Sequence, residues 1–204
     1  MTRPNQIISP DRIFYWAYGS NLSIRQMLRR CPRAIKYGPM SVKDCALVFR
    51  GVADVTVRKD CTTPGGLWQI TPECERSLDQ FEGVASRVYM KRYFRITIQD
   101  KKYTCLFYQM RASRGIMPPS ISYLDTIAQG YADFGLDPSI LNTYLQESWE
   151  AKELTEHLLD RHERRGSPQL ARSMPPVVED EDVLPEDEDQ AAEDEMRAIE
   201  GGQP

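Results

Sequence analysis

Two short stretches of this 204-residue chain carry residue types that could do chemistry together. In Leu78-Asp79-Gln80-Phe81-Glu82-Gly83-Val84, Glu82 stands in the last turn of an expected helix, flanked by Phe81 and Val84 and followed by a glycine. A carboxylate there meets the negative end of the helix dipole. Apolar neighbours also disfavour its charged form by desolvation. Both effects push its pKa toward the range useful for general acid–base work. A glutamate simply pointing into water fits the same position. Asp79, three residues earlier, makes a paired-carboxylate glycosidase site conceivable, but no carbohydrate-stacking surface accompanies it.

The second stretch is Tyr18-Gly19-Ser20-Asn21, between an expected strand and an expected helix. Gly19 permits positive φ and close approach of a ligand to the backbone. Successive N–H groups at such a turn, helped by a helix N-terminus, form a nest for a carboxylate or a developing oxyanion. Gly-Ser-Asn is equally ordinary turn chemistry, with Asn21 or Ser23 as a cap. Tyr15, Trp16, Tyr89 and Tyr123 are candidates to line a pocket beside these stretches, although each alone reads as core.

The elements that must position these residues follow from pattern. Ile13 to Tyr18 reads as a buried strand, aromatic and β-branched and bounded by Gly19. Ser23 to Arg30 reads as a short helix stopped before Pro32. Strand-like runs follow at 45–49, 52–57 and 66–70, and Thr62-Thr63-Pro64-Gly65-Gly66 carries no diagnostic signal. Thr71-Pro72 opens a helix as cap and first residue, Gly83 closes it in the left-handed conformation, and Leu78 and Phe81 share one face. Runs at 88–98 and 103–110, joined by Gln99-Asp100-Lys101, read as a hairpin. Pro118-Pro119 breaks the chain before a helix from about Ser122 to Phe134, ended by Gly135. Another helix starts at Asp137-Pro138 and runs through Leu145. Strands, helix, hairpin and then helices favour an α+β fold over a doubly wound sheet.

Residues 11–149 read as one catalytic domain, 150–165 as a helical extension and 166–204 as a disordered acidic tail too polar to offset chain entropy. Charge follows the same division. Twelve of the 30 acidic residues lie after residue 178 with a single basic one, Arg197, so 25 basic residues face 18 acidic ones in the remainder. Five cysteines, an odd number with no Cys-x-x-Cys spacing, suggest neither a disulfide framework nor a zinc site. The two histidines, His157 and His162, lie beyond the main domain, which argues against a His-based nucleophilic or metal site. Apolar runs are far too short for a membrane span. The N-terminus lacks the apolar core of a secretory signal, so a cytoplasmic protein is expected. Aromatic and basic residues do not interleave as on a nucleic-acid surface.

Three collinear segments resemble the gamma-glutamylcyclotransferase family. Phe14-Tyr15-Trp16-Ala17-Tyr18-Gly19-Ser20-Asn21-Leu22 is similar to its signature loop. Leu78 to Val84, followed by Tyr89, is similar to its catalytic-glutamate segment. Pro118 to Tyr123, then Gly130 and Phe134-Gly135-Leu136-Asp137-Pro138, is similar to its C-terminal region. The resemblance spans roughly residues 12 to 149 and implies a small mixed α+β barrel with flanking helices and a side cavity. It implies Tyr15, Trp16, Ala17, Tyr18, Gly19, Ser20 and Asn21 as a substrate-binding loop, Tyr89 and Tyr123 as substrate contacts, and Glu82 as the acid–base residue. The implied enzyme is independent of cofactor and metal, of lyase or acyltransferase type. It releases 5-oxoproline and an amino acid from gamma-glutamyl amino acids through attack by the substrate's own α-amine. Two alternatives stand beside it: a gamma-glutamylamine cyclotransferase acting on gamma-glutamyl-lysine or a related amide, and an inactive ligand- or protein-binding module of the same fold. The expected partner is a small gamma-glutamyl substrate, without nucleic acid or membrane. The oligomeric state is left open, a homodimer included.

Overall fold

In the computed structural model the described residues are Ile8, 12–111 and 115–164, with side chains described as far as His157. The expected acidic tail at 166–204 lies outside them. Strand β1, Ile13–Ala17, runs through the middle of a five-stranded sheet. It pairs antiparallel with β3, Ala53–Ile70, and parallel with β5, Lys101–Met110. A strand with neighbours on both sides and cover on both faces needs a continuous apolar run, which explains Phe14-Tyr15-Trp16-Ala17. Strand β2, Ile35–Phe49, lies outside β3, and β4, Tyr89–Ile98, lies outside β5, giving the order β2-β3-β1-β5-β4. The sheet does not close on itself, so the fold is α+β and "barrel" describes it only loosely.

The three strand-like runs between residues 45 and 70 belong to two long strands. Residues 35–44 went unread because Gly38-Pro39 and two register shifts, at Lys36/Gly38 and Lys43/Cys45, break the period-2 pattern. The stretch 62–66 is the continuation of β3, and its glycines are there for space. A Cβ on Gly65 would fall 2.1 Å from Trp16 Nε1, and one on Gly66 would fall 2.5 Å from the Phe134 ring. Strands β4 and β5 form the expected hairpin through Gln99 and Asp100, both at positive φ (51° and 61°).

Four α-helices pack on this sheet: α1 (Ile24–Arg30), α2 (Pro72–Phe81), α3 (Ile121–Phe134) and α4 (Pro138–Arg164). Ser23 caps α1, accepting from Gln26 N, while Asp133 of α3 accepts from Ile24 N at 2.8 Å. Gly130 brings α3 against Leu22, where a Cβ would lie 2.3 Å from the leucine Cβ. Helix α2 has the expected Thr71 cap and Pro72 start, and Gly83 follows it at φ +65°. Leu78 is buried, but Phe81 is 58 % exposed, so the two do not share one buried face. Helix α4 runs from Pro138 to Arg164. Leu141, Tyr144 and Ser148 form its buried stripe. Among the described residues no helix is long and apolar enough to cross a membrane.

Candidate active site

Strand β1 ends at Ala17, and the chain turns through the single 3-10 turn Ser20–Leu22 before α1. The turn is closed by Leu22 N–H to Gly19 O at 2.9 Å and Ser23 N–H to Ser20 O at 3.1 Å. The N–H groups of Ser20 and Asn21 are therefore not spent on the turn itself, and that of Ser20 faces the Tyr123 hydroxyl. Gly19 does not need the positive φ expected of it, since its φ is −110°. It is a glycine because a Cβ would sit 3.1 Å from Ala53 Cβ and 3.2 Å from the Tyr123 hydroxyl.

Glu82 reaches this turn from the other side. It is the C-cap of α2, and its N–H closes the helix on Leu78 O at 2.8 Å. Its side chain is 17 % exposed. Oε1 accepts from Asn21 Nδ2 at 3.1 Å and lies 3.7 Å from Arg30 Nη1. Arg30 also donates from Nη1 to Asn21 Oδ1 at 2.8 Å. The guanidinium thus decides which way the Asn21 amide faces, turning Nδ2 toward Glu82 and toward the Tyr15 hydroxyl, 2.9 Å away. Among the described residues no donor reaches Oε2 of Glu82, which leaves that oxygen for a substrate proton. Burial raises the Glu82 pKa above its ordinary value of 4.5, and the Arg30 charge and the Asn21 hydrogen bond offset part of the rise.

Tyrosines complete the walls. Tyr89 donates to Ala53 O at 2.8 Å, and Tyr123 accepts from Ala53 N–H at 3.1 Å, so one residue at the start of β3 anchors both rings. Tyr18 donates to Tyr108 O at 2.5 Å. The Tyr108 hydroxyl donates to Asp79 Oδ1 at 2.8 Å, and Asp79 is held in turn by Lys91 at 3.2 Å. Burial raises the pKa of Tyr15, Tyr18, Tyr108 and Tyr123, so these phenols are neutral at physiological pH.

Between the turn and Glu82 lies a cavity of about 170 Å³. Of the residues singled out from sequence, Tyr15, Tyr18, Gly19, Ser20, Asn21, Glu82, Tyr89 and Tyr123 line it. Trp16 and Ala17 do not. Side chains alternate along β1, and Trp16 faces away, packing on Gly65 and donating Nε1 to Met40 O at 3.3 Å. Ala17 is buried opposite Gly66. Asp79 does not line the cavity either; it serves Tyr108 and Lys91 instead of pairing with Glu82. Sequence reasoning missed Arg30, Val52, Ala53, Phe81 and Tyr108 as lining residues. Of these only Phe81, which adjoins Glu82, carried a local signal.

The model of the AIG2-like family matches residues 64–142. The gamma-glutamylcyclotransferase of Bos taurus is 30 % identical over 139 residues, covering 62 % of this chain and 73 % of that one. The chain belongs to the gamma-glutamylcyclotransferase family. The Homo sapiens gamma-glutamylcyclotransferase is 28 % identical over 145 residues, covering 64 % of this chain and 77 % of its own. A solved gamma-glutamyl cyclotransferase structure superposes with a TM-score of 0.56 at 26 % identity, over 69 % of this chain and 86 % of that one. Homology to gamma-glutamylcyclotransferases supports a cyclotransferase, an enzyme of this family. The groups the cavity offers such an enzyme are a carboxyl of raised pKa, a guanidinium, tyrosyl hydroxyls and turn amides. Among the described residues no group of three or more His, Cys, Asp or Glu gathers to hold a metal ion.

Proposed function

We propose that the protein converts gamma-glutamyl amino acids to 5-oxoproline and the free amino acid, with Glu82 as general acid and base. The observation that carries this reading is the partly desolvated Glu82 carboxyl, facing the Gly19–Asn21 turn across a small cavity. The substrate brings its own nucleophile. Its α-amine attacks the γ-carbonyl carbon, forming the ring C–N bond, and the bond from that carbon to the departing amine nitrogen then breaks. The α-amine is protonated at neutral pH and sheds a second proton once it has become the lactam nitrogen, so a base is required. The departing nitrogen gains one proton as it leaves and a second as it becomes an ammonium ion, which accounts for both. A carboxyl whose pKa lies above the usual range takes the proton in one step and returns it in the other. Holding the glutamyl chain folded supplies the proximity that makes ring closure fast. The Ser20 and Asn21 amides suit the glutamyl carboxylate or the tetrahedral oxyanion.

Glu82→Gln keeps the shape and removes the proton transfer. Turnover of gamma-glutamyl-alanine, followed as 5-oxoproline by mass spectrometry, is expected to fall about a hundred- to ten-thousand-fold, while the circular dichroism spectrum stays that of the wild type. Near-normal turnover by this variant rejects the assignment.

A further inference from the structure

Among the described residues lining the cavity only Arg30 is cationic, and the acid–base steps above give it no task beyond orienting Asn21. It is firmly placed. As the last residue of α1, its carbonyl accepts from Ser77 Oγ of α2 at 2.8 Å, and its guanidinium lies 4.7 Å above the Phe81 ring. Phe81 is 58 % exposed and the Arg30 side chain 23 %, so the stacked pair sits where the cavity meets solvent. Only Nη1 is engaged, by Asn21 and beside Glu82. Among the described residues no acceptor meets Nε or Nη2. An arginine held over a ring with two parallel donors free is arranged to take a planar anion side-on.

A gamma-glutamyl amino acid carries two carboxylates. One belongs to the glutamyl group, which must bury itself for ring closure and meets the turn amides. The other belongs to the departing amino acid, which faces solvent. Glu82 has to protonate the departing nitrogen, and a single carbon separates that nitrogen from its carboxylate. This second anion is therefore brought close to Glu82, where like charges repel, unless a cation stands between them. Arg30 Nη1 is 3.7 Å from Glu82 Oε1, which puts its free donors within reach of that carboxylate. We propose that Arg30 binds the carboxylate of the departing amino acid and so selects gamma-glutamyl amino acids over gamma-glutamyl amines that lack one. The assignment rests on the cyclotransferase reading of the cavity.

The test compares gamma-glutamyl-alanine with gamma-glutamyl-ethylamide, which differs only by the missing carboxylate. Release of 5-oxoproline is measured for wild type, Arg30→Gln and Arg30→Lys. The wild type is expected to favour the alanine compound by about ten- to a hundredfold in kcat/KM, chiefly through KM, the range of a charge-assisted hydrogen-bonded pair. Arg30→Gln brings the ratio near one, and Arg30→Lys keeps part of it. Any disturbance of Asn21 or Glu82 slows both substrates together and cancels in the ratio, which separates a substrate contact from a positioning role. A wild-type ratio near one, or a ratio unchanged in Arg30→Gln, overturns the assignment. Release of 5-oxoproline from neither compound by the wild type overturns the cyclotransferase reading and this assignment with it. If Arg30→Gln is inactive throughout, inhibition of the wild type decides: L-alanine inhibiting at least tenfold more tightly than ethylamine supports the contact, and equal inhibition refutes it.

Discussion

Glu82 holds its proton more tightly in the fold than in the unfolded chain, because burial outweighs the help of Arg30 and Asn21. The consequence for stability has a definite sign. Well below pH 4.5 both states are protonated and the residue contributes nothing. As pH rises past 4.5 the unfolded chain releases the proton first, so stability falls and stays lower once the folded pKa is passed. Glu82→Gln removes this penalty. Thermal unfolding is expected to show the variant more stable than wild type at pH 7, with the two curves converging as pH drops below 4.5. Equal or lower stability of the variant at pH 7 contradicts the desolvation argument. At this scale, what the sequence revealed was local: Glu82 beside a helix-ending glycine, and a turn after an aromatic strand. Arg30 and Tyr108 stayed hidden because their roles arise from elements brought together across the fold. Arg30 meets a residue 52 positions away, and nothing in its own neighbourhood distinguishes it from Arg29.

The end of α2 is the element that delivers Glu82, and Gly83 at φ +65° allows it to stop there. Gly135, at φ +64°, ends α3 in the same way. Alanine at either position meets the same backbone penalty, about 1–2 kcal/mol. At Gly83 the new Cβ also crowds Val88 Cγ2 at 3.2 Å, whereas at Gly135 it meets nothing within 4 Å. Urea unfolding should therefore show both variants destabilised. Only Gly83→Ala should also lower kcat/KM, because the carboxyl one residue away shifts with the cap. Unchanged kcat/KM in Gly83→Ala would separate the placement of Glu82 from its cap. Helix ends were legible because Thr71, Pro72, Gly83 and Gly135 impose local backbone rules. Long strands were not. Strand β2 carries register shifts, and Thr62 to Gly66 in β3 carry no local strand signal. The real determinants of that stretch, the Trp16 indole and the Phe134 ring, lie far away in sequence.

Across the whole molecule, every described residue lining the cavity lies between Tyr15 and Tyr123. Residues 166–204 dominate the charge. Without them the chain has 24 basic against 18 acidic residues, whereas the full chain has a net charge of −4. Gamma-glutamyl-alanine, with two carboxylates and one ammonium, is an anion. At physiological ionic strength fields are screened within about 8 Å, but at 0.01 M they extend about 30 Å. A chain ending at Arg165 is thus expected to match full-length kcat/KM at 0.15 M salt within about twofold, and to exceed it at 0.01 M as the more positive protein draws in the anion. Parallel salt titrations of the two forms check this. Loss of turnover at 0.15 M on truncation would mean that residues 166–204 take part in the reaction. Coincident curves at every salt concentration would mean that their charge does not reach the cavity.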